Sequence, residues 1–289
     1  MRQAFVKYIL SLALFGSNGV AAAGIHLNSY EIVLLRSALG SALLLALYIL
    51  SRREWTALHH RRDLAYTALS GVATGLDWLL LFEAYQRIGV SLSVLLNYCG
   101  PVLVMGLSVP LFHERLTLRK GLALGLALAG VFLISGQAAL GGADAWGLLC
   151  AAGSALAYAA LVVLNKLARK VEGMESAAIQ LCFAALTTAL FVGWKQGLSM
   201  EILPGDWPFI LWIGLLNTGL GCYLYFSSIG RLPVQTVAVC GYLEPVSALL
   251  FSAVFLHEAL LPLQLLGAAL IIGGALVGEG IFSERKAVT

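Results

Sequence analysis

Charge is scarce in this chain. Of its 289 residues only 11% are Asp, Glu, Lys or Arg, whereas 60% are hydrophobic and the mean hydropathy is +0.89. A water-soluble domain carries about a quarter charged residues. The shortage therefore excludes a chain surrounded by water and makes this one an integral membrane protein. A net charge of +3 is too small to suggest a nucleic-acid partner. No Gly-rich loop followed by Lys-Ser or Lys-Thr is present, which argues against ATP drive within the chain. Asp-rich clusters for Mg²⁺ are missing, and the five histidines (His26, His59, His60, His113, His257) have no metal spacing, so the sequence calls for no cofactor. The five cysteines (Cys99, Cys150, Cys182, Cys222, Cys240) fall within apolar runs without metal or redox spacing and read as small packing residues.

What is present is a series of long apolar runs. A helical span needs about 20 apolar residues, and ten such segments are predicted: 5–24, 29–50, 63–86, 90–112, 118–136, 145–166, 174–194, 206–229, 234–256 and 262–282. The short polar breaks leave no room for a soluble domain. Barrel strands would alternate over about 10 residues, and these runs do not. Arg2 and Lys7 before a short apolar run resemble a signal peptide. However, Ser11-Leu12-Ala13-Leu14-Phe15 resembles Ser154-Ala155-Leu156-Ala157-Tyr158, which makes this run a retained first span matching the sixth.

Basic residues collect on the cytoplasmic side of membrane proteins. With the N-terminus inside, 15 of the 18 Lys and Arg fall on that side; only Arg87 and Lys195 lie outside, and Arg36 lies within span two. Both termini are expected in the cytoplasm of a bacterial inner-membrane protein. Trp146, Trp194, Trp207 and Trp212 then mark the outer boundary, as anchoring rings do, while Trp78 lies inside a span.

The chain also repeats itself. Residues 75–133 align without a gap to 219–277, with 16 identities in 59 pairs, among them Phe82/Phe226, Arg87/Arg231, Tyr98/Tyr242, Pro101/Pro245 and His113-Glu114/His257-Glu258. Such a repeat can decide the fold. Five spans per copy is odd, so the second copy enters the membrane from the opposite side, and Arg87 outside answers to Arg231 inside. The expected fold is an all-α integral membrane protein: ten transmembrane helices as two five-helix inverted-topology repeats, 1–143 and 144–289. Inverted repeats typify secondary transporters, which bind substrate near the midplane between halves.

Ten spans in two fives, with Pro101 and Pro245 in spans four and nine and His-Glu closing each, resemble the drug/metabolite transporter superfamily, in particular its EamA-type bacterial members. The second-half signature reads Tyr242-Leu243-Glu244-Pro245, then His257-Glu258, then Gly267, Gly273 and Gly274. The first-half copy reads Asn97-Tyr98-Cys99-Gly100-Pro101, His113-Glu114, then Gly121, Gly125 and Gly130. Arg36 in span two also fits the pattern. The two copies differ where Gly100 stands against Glu244. The resemblance covers essentially the whole chain. It implies a transporter, commonly an exporter of amino acids, amines or other small metabolites. Its central cavity would be built from spans one to four and six to nine, with spans five and ten peripheral.

Ionisable residues inside a membrane are expensive and usually face a functional interior. Glu244, mid-span, is a candidate proton-coupling or amine-binding group; its structural alternative is to satisfy backbone freed by Pro245. Asp77 in span three is a second candidate for coupling or substrate. Its repeat partner is Gly221, with Asn217 and Tyr225 one turn to either side, so Asp77 is expected to face an amide and a phenol; the alternative is a packing hydrogen bond. Arg36 can bind a carboxylate or snorkel to the outer surface. Asn18 and Asn97 are polar candidates. Trp78, Tyr98, Tyr158, Tyr223 and Tyr242 are aromatic ones, able to stack on a ligand or attract a cation, or merely to pack. Glu83 and Arg87, spaced i,i+4, are expected to pair. Glu114 and Glu258 are expected near the N-terminus of the next helix. Gly121, Gly125 and Gly130 are expected to permit close helix packing or a homodimer.

The function this supports is a secondary transporter, an exporter of small metabolites such as amino acids or amines, working by alternating access with a proton as a candidate coupling ion. Its partners are a small-molecule substrate and the lipid bilayer. A membrane-embedded transferase and a channel-like facilitator are the alternatives, and the chain is not expected to be an enzyme.

Overall fold

A computed structural model describes residues 2–52, 54–88, 93, 96–115, 117–135, 144–255, 257 and 262–279. All the regular structure in them is helical. The long helices are α1 (Arg2–Ala23), α2 (Ser29–Leu50), α3 (Arg61–Ile88), α4 (Gly100–Phe112), α5 (Leu118–Ser135), α6 (Ala145–Leu167), α7 (Gly173–Lys195), α8 (Pro204–Ile229), α9 (Val234–Phe255) and α10 (Pro262–Glu279), and a single turn, Thr56–His59, lies between α2 and α3. Among the described residues seven are long and apolar enough to cross a membrane: α1, α2, α3, α6, α7, α8 and α9. Gly100–Phe112 and Leu265–Val277 are shorter apolar helices. The multi-pass membrane character is thereby supported, and the two-copy architecture fits. The start of predicted span four, the end of span ten, Glu258, Arg285 and Lys286 lie outside the described residues.

Local chemistry sets the helix ends. Asn28 caps α2 by accepting from the Tyr30 and Glu31 N–H groups at 3.0 and 3.1 Å, while Glu31 reaches back to the Asn28 N–H at 3.0 Å. This reciprocal box satisfies donors that a helix start leaves unpaired. Asp144 caps α6 through the Gly147 N–H at 3.2 Å. Apolar side chains such as Leu118, Leu190 and Trp194 project from the outer faces, where a soluble fold would place charge.

Three spans are interrupted. α1 bends at Ser17. Span four turns at Tyr98-Cys99 and span nine at Tyr242, so Pro101 and Pro245 fall in the first turn of the half-helices that follow. A missing N–H is harmless at that position. The prolines therefore start half-helices instead of freeing a carbonyl inside a continuous one. α8 carries a π-helical stretch, Trp212–Gly221.

Helix packing obeys a pseudo-two-fold rule that exchanges α1 with α6, α2 with α7, α3 with α8, α4 with α9 and α5 with α10. Thus α3 packs on α6 and α8 on α1; α7 on α3 and α2 on α8; α4 on α6 and α9 on α1. Helices α2 and α7, and likewise α5 and α10, pack on their own counterparts. The last pair shows the rule in atoms. A β-carbon on Gly130 would stand 2.5 Å from the Gly267 carbonyl oxygen, and one on Gly274 would stand 2.7 Å from the Ala123 carbonyl oxygen. Gly130 and Gly274 are repeat partners, as are Ala123 and Gly267. By contrast Gly121 and Gly125 have open space around them, so they do not pack within the chain as expected. His113 and His257, repeat partners at the ends of spans four and nine, both adopt left-handed backbone with φ of 54°.

Candidate functional site

The buried polar side chains collect where the two copies meet. Arg36 is only 5% exposed and does not snorkel. Its Nε donates to Thr218 Oγ1 of α8 at 2.9 Å, and its guanidinium lies 4.6 Å from the centre of the Trp78 ring on α3. The π-helical stretch explains the reach of Thr218: its hydroxyl donates five residues back to the Ile213 carbonyl at 2.7 Å, leaving its lone pairs toward α2. The planar guanidinium is thus stacked on one copy and hydrogen-bonded to the other.

Asp77 is 6% exposed and tied on one oxygen. Ser154 Oγ of α6 donates to Oδ1 at 2.7 Å and Asn97 Nδ2 donates to it at 3.0 Å. Asp77 is therefore brought to Asn97 and Ser154, and not to Asn217 and Tyr225 as the repeat alignment suggests. Asn217 instead donates to Ser17 Oγ at 2.9 Å and to Asn18 Oδ1 at 3.0 Å, at the bend of α1. The reason lies in the rings of α1 and α6. A β-carbon on Gly221, the partner of Asp77, would meet the Phe15 ring at 2.8 Å, so an aromatic residue fills the place a carboxylate has in the other copy.

Glu244 stands in the first turn of the half-helix after Tyr242, where the helix dipole favours a carboxylate. It is half-buried, and its carboxylate accepts no hydrogen bond among the described residues. Among the described residues it forms no ion pair, with Arg36 or with any other cation. The contrast with Asp77 is chemical: one carboxylate is held by two donors and the other is free to accept them.

Aromatic rings line the same region. Tyr242 Oη donates to the Tyr98 carbonyl at 2.6 Å, and the two rings lie 5.7 Å apart. Tyr225 packs on Tyr8 at 5.6 Å and on Phe15 at 5.8 Å, and its Oη donates to Tyr158 Oη at 3.2 Å. Tyr158 also occupies the space beside Gly100: a β-carbon there would stand 2.7 Å from Tyr158 Cδ1 and 3.2 Å from the Ala155 carbonyl oxygen. That is why Gly100 answers to Glu244. Tyr223 departs from the group; Lys7 donates to its Oη at 3.3 Å and lies 4.9 Å from its ring.

Ser17, Ser154, Thr218 and Tyr8 also belong to this network, and nothing in the sequence marks them as candidates. Serine and threonine in apolar spans are too ordinary to stand out, although Ser154 lies in the stretch that matches α1. The remaining predicted pairs sit at the bundle ends. Arg87 Nε meets Glu83 Oε1 at 2.8 Å as expected, and Lys195 meets Glu83 Oε2 at 2.5 Å and Tyr30 Oη at 2.7 Å. Glu114 does cap a helix, but it is α9 and not the next one in sequence: it accepts from the Val234 N–H at 2.8 Å and the Gln235 N–H at 3.2 Å.

Comparison with known proteins agrees with this geometry. The model of the EamA-like transporter family matches residues 4–136 and again 145–277. YxxF, an uncharacterized transporter of Bacillus subtilis (strain 168), is 24% identical over 274 residues, covering 94% of this chain and 88% of its own. The threonine/homoserine exporter RhtA of Escherichia coli (strain K12) is 26% identical over 246 residues, covering 84% of this chain and 79% of its own. A crystal structure superposes with a TM-score of 0.83 at 20% identity, with 100% of each chain covered, so the fold is a known one.

Proposed function

The chain belongs to the EamA-like transporter family, and we propose that it exports small zwitterionic or aminated metabolites, such as amino acids, across the bacterial plasma membrane. It does so by alternating access, with its two copies in inverted orientation and both termini in the cytoplasm. Glu244 accepts the cargo's amino group or a coupling proton, and Arg36 pairs with a carboxylate. Asn18, Asn97, Asn217, Trp78, Tyr98, Tyr158, Tyr225 and Tyr242 shape the cavity, and Asp77 holds Asn97 in place.

The observation that carries this reading is the pair Glu244 and Arg36. One group of each sign stands inside a span, one on each copy, and among the described residues neither forms an ion pair. A zwitterion fits between such groups, because each end meets an opposite charge in a low-dielectric interior. Similarity to the threonine/homoserine exporter RhtA supports the cargo class. The test is counterflow in liposomes containing only the purified protein. Labelled threonine, an aromatic amino acid and an amine should exchange saturably and emerge unchanged. Absence of exchange for every amino acid and amine tried, or unsaturable flux, would overturn the reading.

A further inference from the structure

At the bundle end that carries the α4–α5 and α8–α9 connections, a cleft of about 450 Å³ opens between the two copies. Four cations line it. Arg115 and Lys120 come from the first copy, Lys166 and Arg231 from the second. We infer that this cleft binds the phosphodiester headgroup of an anionic phospholipid.

The charge balance is the first argument. The lining contains one carboxylate, Glu114, and both of its oxygens are taken by the Val234 and Gln235 N–H groups. Arg231 pairs with Glu172 outside the cleft, but both groups are about half exposed, and such a pair contributes little. Lys166 donates once, to the Leu232 carbonyl at 2.5 Å, which leaves two of its three donors. Arg115 and Lys120 have no side-chain partner among the described residues. Basic residues elsewhere, such as Arg52 and Arg61, lie exposed and are not part of this lining.

The floor is the second argument. Gln235 is 1% exposed; its amide nitrogen donates to Ser108 Oγ and to the Arg115 carbonyl, each at 3.3 Å, while its Oε1 is buried without a donor. A site with cations around a buried acceptor suits an anion that also carries hydroxyl groups, as a phosphoglycerol headgroup does.

The position selects a lipid over free phosphate. The cleft lies at helix ends, with Lys120 in the first turn of α5 and Lys166 in the last turn of α6. Leu111 and Leu118, beside it in sequence, are 48% and 83% exposed, offering apolar surface for acyl chains next to the charged cleft. Basic pockets between membrane helices recognise anionic headgroups through this combination. The topology proposed above makes the leaflet the cytoplasmic one; binding in detergent does not depend on that choice.

The experiment is a melting-temperature titration of the purified full-length chain in a mild detergent, with lipid retention read by native mass spectrometry. Short-chain phosphatidylglycerol should raise the melting temperature saturably; phosphatidylcholine of the same chain length and inorganic phosphate should not. Arg115→Gln with Lys120→Gln should raise the half-saturating concentration about tenfold or more, and each single change by less. Arg52→Gln with Arg61→Gln should leave it unchanged. If the double variant does not fold, the single variants carry the test. An equal response to phosphatidylcholine, or an equal loss in the Arg52/Arg61 variant, would overturn the site. Inorganic phosphate reproducing the shift would overturn the lipid assignment.

Discussion

Tyr98 and Tyr242 are the same residue of the two copies, and they touch: the rings lie 5.7 Å apart and Tyr242 Oη donates to the Tyr98 carbonyl at 2.6 Å. The carbonyl it finds is at the turn where span four is broken, so the hydroxyl satisfies an acceptor that a continuous helix would have used. Tyr242→Phe keeps the rings and removes the bond. The expected loss is about 0.5–1.5 kcal/mol, read as a drop in melting temperature with helical content unchanged. No change in melting temperature would mean that the carbonyl finds another donor.

Gly100→Ala should be worse. The new methyl group would press on Tyr158 and on the Ala155 carbonyl, and overpacking of this kind costs about 1–3 kcal/mol. Tyr158→Ser should partly rescue it, because the ring is one of the two obstacles. Additive losses in the double variant would show that the two sites do not compete for space.

Glu244 and Asp77 should part company under conservative amide substitution. Glu244→Gln removes a charge that no neighbour holds and should abolish the response of transport to a pH gradient. Asp77→Asn can still accept from Ser154 and Asn97, so it should transport with its pH response intact and its rate within about tenfold of the parent. Counterflow and gradient-driven uptake, run side by side at two pH values, distinguish these outcomes. A pH response surviving Glu244→Gln would remove that residue from the coupling step.

Arg36→Lys is not a conservative change here. Lysine supplies neither the flat face that stacks on Trp78 nor the Nε donor that meets Thr218. Transport should fall by about an order of magnitude or more while the protein remains folded. Retention of full rate in the lysine variant would reduce Arg36 to a plain positive charge.

Asp144 offers a pH test outside the membrane. The Gly147 N–H first, and Arg87 after it, hold its carboxyl below the usual carboxylate range. A carboxyl depressed in the folded state contributes stability that is present above its unfolded value of about 3.9 and lost as pH falls through the lower folded value. Asp144→Asn should therefore show a shallower fall in melting temperature below about pH 4 than the parent. The two should respond alike between pH 5 and 7.

Much of the fold was legible because membrane insertion imposes a length and a polarity that a sequence displays directly. Apart from span four, whose start lies outside the described residues, the described helices follow the predicted spans to within a few residues, and the repeat in the sequence matches the pseudo-two-fold of the packing. The partnerships of polar groups were less legible. The repeat aligns Asp77 with the Asn217/Tyr225 stripe, yet its donors are Ser154 of α6 and Asn97, just before the turn at Tyr98-Cys99. A repeat gives equivalence between positions; it does not give contact, which depends on helix rotation and on which ring, Phe15 or Tyr158, fills each gap. Glu114 caps α9 and not the next helix for a similar reason: the helix start it reaches belongs to the other copy.

The contact between α5 and α10 has one more consequence. Gly130 meets the backbone at Gly267 as Gly274 meets the backbone at Ala123, each position answering its own repeat partner. This is the geometry of an isologous interface, in which one surface binds a second copy of itself. A polypeptide of half this length could use such a surface to form a dimer of identical copies. Carried in one chain, the copies need not be identical, and Glu244 stands in one where Gly100 stands in the other.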